Sequence, residues 1–353
     1  MLKRILSLTI IILIAVFQIK CTPTTYLYVS PEGNNINTGS KKSPFQTIQK
    51  ALDVLEELAG KESVTIEILD GAYYLNEPLK ILPIHSGTEK HPVIIQGAEG
   101  ERIIIIGGLA PIPQWKSYND QIYFTEVPVK FDQLFVNDKL QHMARYPNYQ
   151  EDVDCYNGYA ADAISPERVS SWKNPIGGFM HVLHRGRWGG YSYQIKGKDV
   201  NGELILEGGW QNNRQMGIHP SIRYVENIFE ELDAPGEWFL DEKLLRLYYW
   251  PDKDVDLTEA SIRVANLSHI IEINGAENNP VHDLSILNLE IIGSKRTFMD
   301  TREPLLRSDW TIYRGGVILI NGGERITIRN IKMNSPGGNG IFINNYNRHV
   351  RIE

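Results

Sequence analysis

The chain has 353 residues and a formal net charge of −7, with apolar and charged fractions ordinary for a globular protein. That length allows one large core or two domains. The mildly acidic balance, without a long basic run or a nucleic-acid motif, argues against a nucleic-acid partner, and two cysteines argue against a disulfide-built scaffold.

The first segment reads as a leader. Lys3 and Arg4 precede an apolar run over 5–17, broken only by Ser7 and Thr9, with the length of a signal-peptide core rather than of a membrane span. Cys21 follows, then the polar tether Thr22-Pro23-Thr24-Thr25. Residues 1–21 are therefore expected to be a signal peptide. The layout resembles a bacterial lipoprotein signal, in which Cys21 is lipidated and becomes the mature N-terminus. Lys20 stands where such signals carry a small residue, so a cleaved soluble signal and an uncleaved anchor stay open beside it. Each alternative exports the protein, to the periplasm, to the outer membrane as a lipoprotein or to the cell surface. Membrane contact is confined to the N-terminal lipid or anchor. With Cys21 lipidated, Cys155 has no partner, and it reads as a partly buried small side chain rather than a catalytic thiol.

Tyr26-Leu27-Tyr28-Val29 reads as a strand running into the turn Ser30-Pro31-Glu32-Gly33. Ile48, Leu52 and Leu55 then recur at helical spacing, so a short amphipathic helix is predicted over 43–55. A helix there covers the open end of a strand stack. Alternating apolar strands follow over 64–69, 79–82, 92–97 and 102–108, separated by polar turns at Gly87 and Gly100. Residues 26–112 are read as a cap with first coils. From 113 to 262 the rhythm breaks, tryptophans and charges rise, and a mostly β insertion domain is expected.

The rhythm returns over 263–353. Ile270-Ile271-Glu272-Ile273-Asn274-Gly275 is a strand closed by a turn. Leu284-Ser285-Ile286-Leu287-Asn288-Leu289 aligns with Ile326-Thr327-Ile328-Arg329-Asn330-Ile331, provided a loop over 294–313 emerges from one face. Gly316-Val317-Ile318-Leu319-Ile320-Asn321 is echoed by Asn339-Gly340-Ile341-Phe342-Ile343-Asn344, and Arg325-Ile326-Thr327-Ile328 by His349-Val350-Arg351-Ile352. The offset of about 23–24 residues lies in the solenoid range. Asn274, Asn288, Asn321, Asn330 and Asn344 are read as structural, because amides stack from coil to coil and asparagine tolerates a left-handed corner.

Tyr28-Val29-Ser30-Pro31-Glu32-Gly33, with Ser43-Pro44-Phe45-Gln46-Thr47-Ile48-Gln49-Lys50-Ala51-Leu52, resembles the N-terminal cap of right-handed parallel β-helix proteins of the pectin-lyase-like group. The implied fold is all-β: a right-handed parallel β-helix, or solenoid, with an N-terminal capping helix and a mostly β insertion. Gln133-Leu134-Phe135-Val136-Asn137 with Met143-Ala144-Arg145-Tyr146-Pro147-Asn148 is more particular. So is Val225-Glu226-Asn227-Ile228-Phe229-Glu230-Glu231-Leu232-Asp233-Ala234-Pro235-Gly236-Glu237-Trp238 with Leu247-Tyr248-Tyr249-Trp250-Pro251. Together they look like exported glycoside hydrolases of the family 141 type, which include α-fucosidases and xylanases acting on plant cell-wall glycans. The resemblance implies two catalytic carboxylates on later coils. No position here matches them, so the chain is expected to be an N-terminal fragment with an open strand edge, its catalytic residues unknown and its enzyme reading tied to a full-length protein.

Binding candidates come from residue chemistry. Glycoside hydrolysis needs two carboxyl groups flanking one glycosidic oxygen. Glu230, Glu231, Asp233 and Glu237 form the densest acidic cluster; they either line a sugar cleft or cap turns and pair with Arg223 or Arg246. His181, His184, Arg185, Arg187 and Trp188 form the richest polar-aromatic stretch. There Trp188 stacks on a sugar face while an arginine reaches hydroxyls or a uronate, or the segment simply packs within the insertion. His181 and His184 point to opposite faces of an extended strand, so no metal site is expected. Trp210, Asn212, Asn213, Arg214 and His219 offer amides and an aromatic plane suited to a neutral glycan. Arg145 braces the insertion against the helix. Asp300, Arg302, Glu303, Arg307, Asp309 and Trp310 lie in the emerging loop, which is placed to overhang a groove.

The sequence thus points to an exported protein whose partner is an oligo- or polysaccharide, with no cofactor implied. A glycoside hydrolase is the first reading. A polysaccharide lyase on the same fold and a non-catalytic glycan-binding or adhesive β-helix are the alternatives, which fold alone does not separate.

Overall fold

A computed structural model describes residues 23–111, 113–214 and 217–353. The leader and Cys21 lie outside the described residues. The chain is mostly β, with parallel sheets that curl around one aliphatic core and few helices.

Three faces build the β-helix-like stack. On the first, strands Thr24–Val29, Ser63–Ile68 and Val93–Gly97 pair in parallel, and Val281–Ile292, Ile318–Asn334 and Arg351–Ile352 continue the same face. One inward row therefore runs Leu27, Ile66, Ile95, Ile286, Ile328 and Ile352, each directly paired with the next. The second face pairs Gly71–Tyr74 with Ile103–Ile106 and then with the ends of the two long strands, in the row Tyr73, Ile105, Ile291 and Met333. The third joins Leu79–Ile81, Ile271–Asn274, the start of Ile318–Asn334 and Ile341–Arg348, in the row Ile81, Ile273, Ile320 and Ile343. Alternation with period two sends every second side chain inward, and parallel pairing stacks like on like. The echoes in the sequence are the physical register: Ile318 pairs with Ile341, Thr327 with Arg351 and Leu284 with Ile326.

Helix α1, Ile48–Leu58, begins at the first of the apolar residues that predicted it and later than the start of the expected 43–55 span, because the Thr47 side chain accepts the Lys50 N–H and caps it. It buries Ile48, Ala51, Leu52 and Leu55 in the same core as the first strands.

The corner asparagines divide in two. Asn288 and Asn330 both have positive φ, and Asn330 Nδ2 donates to Asn288 Oδ1 at 3.1 Å, the amide stacking expected. At the other corner the partner of Asn321 is Asn345 rather than Asn344, at 3.2 Å. The register slips after Asn321, so Asn344 instead accepts from Arg314 at 3.0 Å. Asn274 bonds locally to Glu272.

The chain leaves the stack at Gly108–Leu109 and re-enters at Ile262–Ala265, and these two short strands pair with each other. Between them lie two further sheets. One runs from that pair through Gln133–Val136, Lys139–Met143, Glu237–Asp241, Arg246–Tyr249, Tyr123–Glu126 and Lys116–Ser117. Asn137 and Asp138, both at positive φ, make the tight hairpin between Gln133–Val136 and Lys139–Met143. The other orders Arg145–Tyr146, Ile218–Glu226, Phe179–His184, Gly190–Lys198 and Leu204–Gly208. Their cores are separate from that of the stack, around Trp238 and Tyr249 in the first and Trp172 and Met180 in the second. This explains why the alternating rhythm stops: these strands pair mainly in antiparallel fashion and carry aromatic cores.

Candidate functional site

A cleft of about 330 Å³ opens where the loop over 294–313 lies across the second insertion sheet. Phe179, Trp210 and Phe298 give it aromatic walls, and Asp132, Lys196, Glu207, Lys295, Arg296, Asp300 and Arg302 give it charge. The loop is stitched down by its backbone. Trp210 Nε1 donates to Met299 O at 3.2 Å, Gln211 Nε2 to Phe298 O at 3.0 Å, and the Thr311 hydroxyl to Trp210 O at 3.1 Å. Asn213 N donates to Asp309 O at 2.6 Å, and the Arg214 guanidinium pairs with the Asp309 carboxylate at 2.7 Å. Arg302 lies over the Trp210 ring at 4.0 Å, a cation–π contact that holds the indole plane.

From the cleft wall a charged chain runs inward, from the half-buried Asp132 and Arg296 to the buried Glu226 and His181. Glu226 ends strand Ile218–Glu226, opposite both Arg145 and Phe179. Its Oε1 accepts from His181 Nε2 at 2.9 Å and from Arg296 Nη1 at 2.7 Å. Nε2 carries a proton toward the carboxylate, and Nδ1 lies within hydrogen-bond distance of the Ser192 hydroxyl, at 3.0 Å. Arg296 also binds Asp132, through its backbone N–H at 3.0 Å and its Nε at 3.2 Å. Burial alone would raise the Glu226 carboxyl, but Arg296 and then His181 outweigh it and hold it well below the usual carboxylate range. For Asp132 burial prevails over the same arginine, and the carboxyl is pushed up to about 6. Both acids are committed to Arg296, so the chain fastens the overhanging loop to the insertion rather than presenting a free acid and base.

The residues singled out from sequence disperse around this centre. Trp210 lines the cleft, and His181 lies beneath it, on Glu226. Arg145 is buried, donates to the carbonyls of Pro147, Tyr156 and Gly158, and lies 4.1 Å over the Tyr224 ring. It braces a loop within the insertion, not the insertion against the helix. His184 is wholly buried and accepts the Gly186 N–H, while Trp188, Arg185 and Arg187 are exposed at the hairpin tip and line no part of the cleft. Asn212 is buried and bridges to Trp310, and Asn213 and Arg214 bind residues of the loop. His219 Nδ1 accepts the backbone N–H groups of Ser221 and Ile222, a turn-capping role.

The acidic cluster is likewise structural. Glu231 accepts from Arg168 at 3.0 Å and from Trp172 Nε1 at 2.6 Å, and Glu230 accepts the Lys173 N–H at 2.8 Å. Glu237 Oε2 caps the turn through the N–H groups of Asp233 and Ala234, and burial pushes this carboxyl up to about 8. The arginines expected as partners go elsewhere, Arg223 to the carbonyls of Ala161 and Pro220 and Arg246 to Glu126. Cys155 is exposed, not partly buried: it lies in a surface turn of the insertion. Among the described residues no group of His, Cys, Asp and Glu is placed to hold a metal ion. Sequence reading missed Asp132, Phe179, Glu226, Arg296 and Phe298 as a site. The one signal for Arg296 and Phe298 was their place in the emerging loop.

No protein-family profile matches the chain. A pectate lyase of Emericella nidulans is 28% identical over 225 residues, which are 59% of this chain and 48% of that protein. An uncharacterized protein of Bacillus subtilis is 37% identical over 82 residues, 23% of this chain and 16% of its own length. A solved glycoside hydrolase superposes with a TM-score of 0.70 at 22% identity, over 87% of this chain and 61% of that one. The chain therefore spans about half or less of the curated relatives it matches and under two thirds of the solved enzyme. The chain thus shares with a solved glycoside hydrolase the β-helix-like fold that the opening motif implied.

Proposed function

We propose that the chain is part of an exported carbohydrate-active enzyme, a glycoside hydrolase of the family 141 type, acting on plant cell-wall or other complex glycans. The observation that carries this reading is the cleft. Trp210, Phe179 and Phe298 offer faces for the apolar side of sugar rings, and the charged side chains between them offer hydrogen bonds to hydroxyls. The likeness in fold to a glycoside hydrolase supports it. Since Glu226 and Asp132 are tied to Arg296, the cleft is a binding wall in this reading, and the catalytic carboxyl pair lies outside it. Export rests on the leader over 1–21 and lipidation on Cys21; a labelled fatty acid found on wild-type protein and missing from Cys21→Ser tests the lipidation, and fractionation of cells for the mature chain tests the export.

A lyase is the second reading, favoured by the similarity to a pectate lyase and by Lys295 and Arg302 in the cleft, which suit a uronate carboxylate. Product analysis on cell-wall oligosaccharides separates the two. New reducing ends without an unsaturated sugar support the hydrolase; the ultraviolet absorbance of a 4,5-unsaturated uronate supports the lyase and sinks the hydrolase.

A further inference from the structure

The hairpin of Phe179–His184 and Gly190–Lys198 has two ends with different surroundings. Phe179 and Gln194, paired at one end, line the cleft. Four residue pairs further along, or roughly 13 Å at strand spacing, Leu183 pairs with Gly190 and the chain turns through Arg185, Gly186, Arg187 and Trp188. Trp188 is 59% exposed, yet its ring lies on that of His184, with centroids 5.2 Å apart and planes 14° apart. His184 is 0% exposed and has Tyr191 and Trp310 on its other sides, at 5.9 Å and 6.4 Å. The turn is shaped for this stack. A Cβ on Gly189 would come within 2.4 Å of Trp310, and one on Gly186 within 3.3 Å of both His184 and Trp188.

A tryptophan laid flat on a buried ring, with its outer face open, has a fixed plane and little entropy to lose when a sugar stacks on it. Charge decides which sugar. Arg185 and Arg187, which precede Trp188 in the same turn, are exposed, and among the described residues no carboxylate forms a salt bridge with either. The neighbouring Arg214, by contrast, is neutralised by Asp309. Two uncompensated guanidinium groups beside an aromatic plane match a carboxylate-bearing ring, since guanidinium binds carboxylate in bidentate fashion.

We propose that Trp188, backed by His184 and sharing its turn with Arg185 and Arg187, is a second glycan platform, separate from the cleft, that holds uronate-bearing chains. The inference rests on the glycan-binding reading but not on the cleft. Affinity electrophoresis of the purified chain in gels containing polygalacturonate, neutral xylan or polyglutamate tests it. Polygalacturonate retards the wild type. Trp188→Ala and the pair Arg185→Ala with Arg187→Ala each weaken that retardation about tenfold, whereas Trp210→Ala in the cleft leaves it within about twofold. All three variants are checked for wild-type melting, which the exposure of Trp188 and both arginines favours. Retardation by neutral xylan alone, lost in Trp210→Ala, would keep the cleft and overturn the platform. Equal retardation by polyglutamate, untouched by Trp188→Ala, would reduce the effect to net charge and also overturn it.

Discussion

Arg296 and Glu226 meet at 2.7 Å, and this pair joins the loop over 294–313 to the edge of an insertion strand seventy residues earlier in the chain. Glu226 is buried and Arg296 half-buried, with His181 on the same carboxylate oxygen and Asp132 on the other side of the guanidinium. Removing Glu226 leaves the buried His181 without its acceptor and Arg296 with Asp132 alone, which is costlier than losing a surface ion pair. Glu226→Ala is therefore expected to lower unfolding stability by about 3 kcal/mol, and Glu226→Gln by less, because an amide oxygen still accepts from Arg296. Urea unfolding of both variants measures this; a loss under about 1 kcal/mol for Glu226→Ala would mean the pair is not a fastener.

Glu237 gives the fold a pH signature. Burial raises its carboxyl from the ordinary 4.5 to about 8 in the folded chain. A raised value means that the folded state holds the proton more tightly than the unfolded one, so the contribution is complete below about 4.5 and lost as pH rises through 8. Between pH 5 and 8 this group alone weakens the protein by roughly 3–4 kcal/mol. Glu237→Gln, which keeps an oxygen for the N–H groups of Asp233 and Ala234, should flatten that part of the profile and be the more stable form at pH 8. Urea midpoints measured across the range decide it; parallel profiles would refute the assignment.

Asn330 sits at a corner with φ of 53° and donates to Asn288, whose φ is 58°. Alanine there loses the amide bond and takes up left-handed strain, a combined cost of roughly 1–2 kcal/mol. Glycine loses the bond without the strain, so Asn330→Gly should recover part of what Asn330→Ala loses. Equal stabilities for the two variants would show that strain plays no part.

The three faces were legible because each coil repeats the same physical instruction: alternate apolar residues, then a corner residue that accepts positive φ. Ile318 to Ile341 and Thr327 to Arg351 could be matched from the letters alone. The choice of Asn345 over Asn344 could not, since one slipped residue after Asn321 is invisible to periodicity. The cleft was less legible. Asp132, Glu226 and Arg296 converge from three distant segments, and nothing local to any of them announces the others. Trp210 was found because an aromatic beside amides is a local signal. The Glu230–Glu231 pair gave the same kind of signal and proved to be bound to Arg168, Trp172 and Lys173, partners set by the fold of the insertion.

The central claim is that the cleft under the 294–313 loop binds glycan, and calorimetric titration of wild type and Trp210→Ala with xylan- and pectin-derived oligosaccharides tests it most directly. The account predicts saturable binding of at least one of them by the wild type, weakened about tenfold by Trp210→Ala through loss of a stacking plane, with the melting temperature little changed. Identical affinities in the two proteins, or no binding of any oligosaccharide by the wild type, would contradict it.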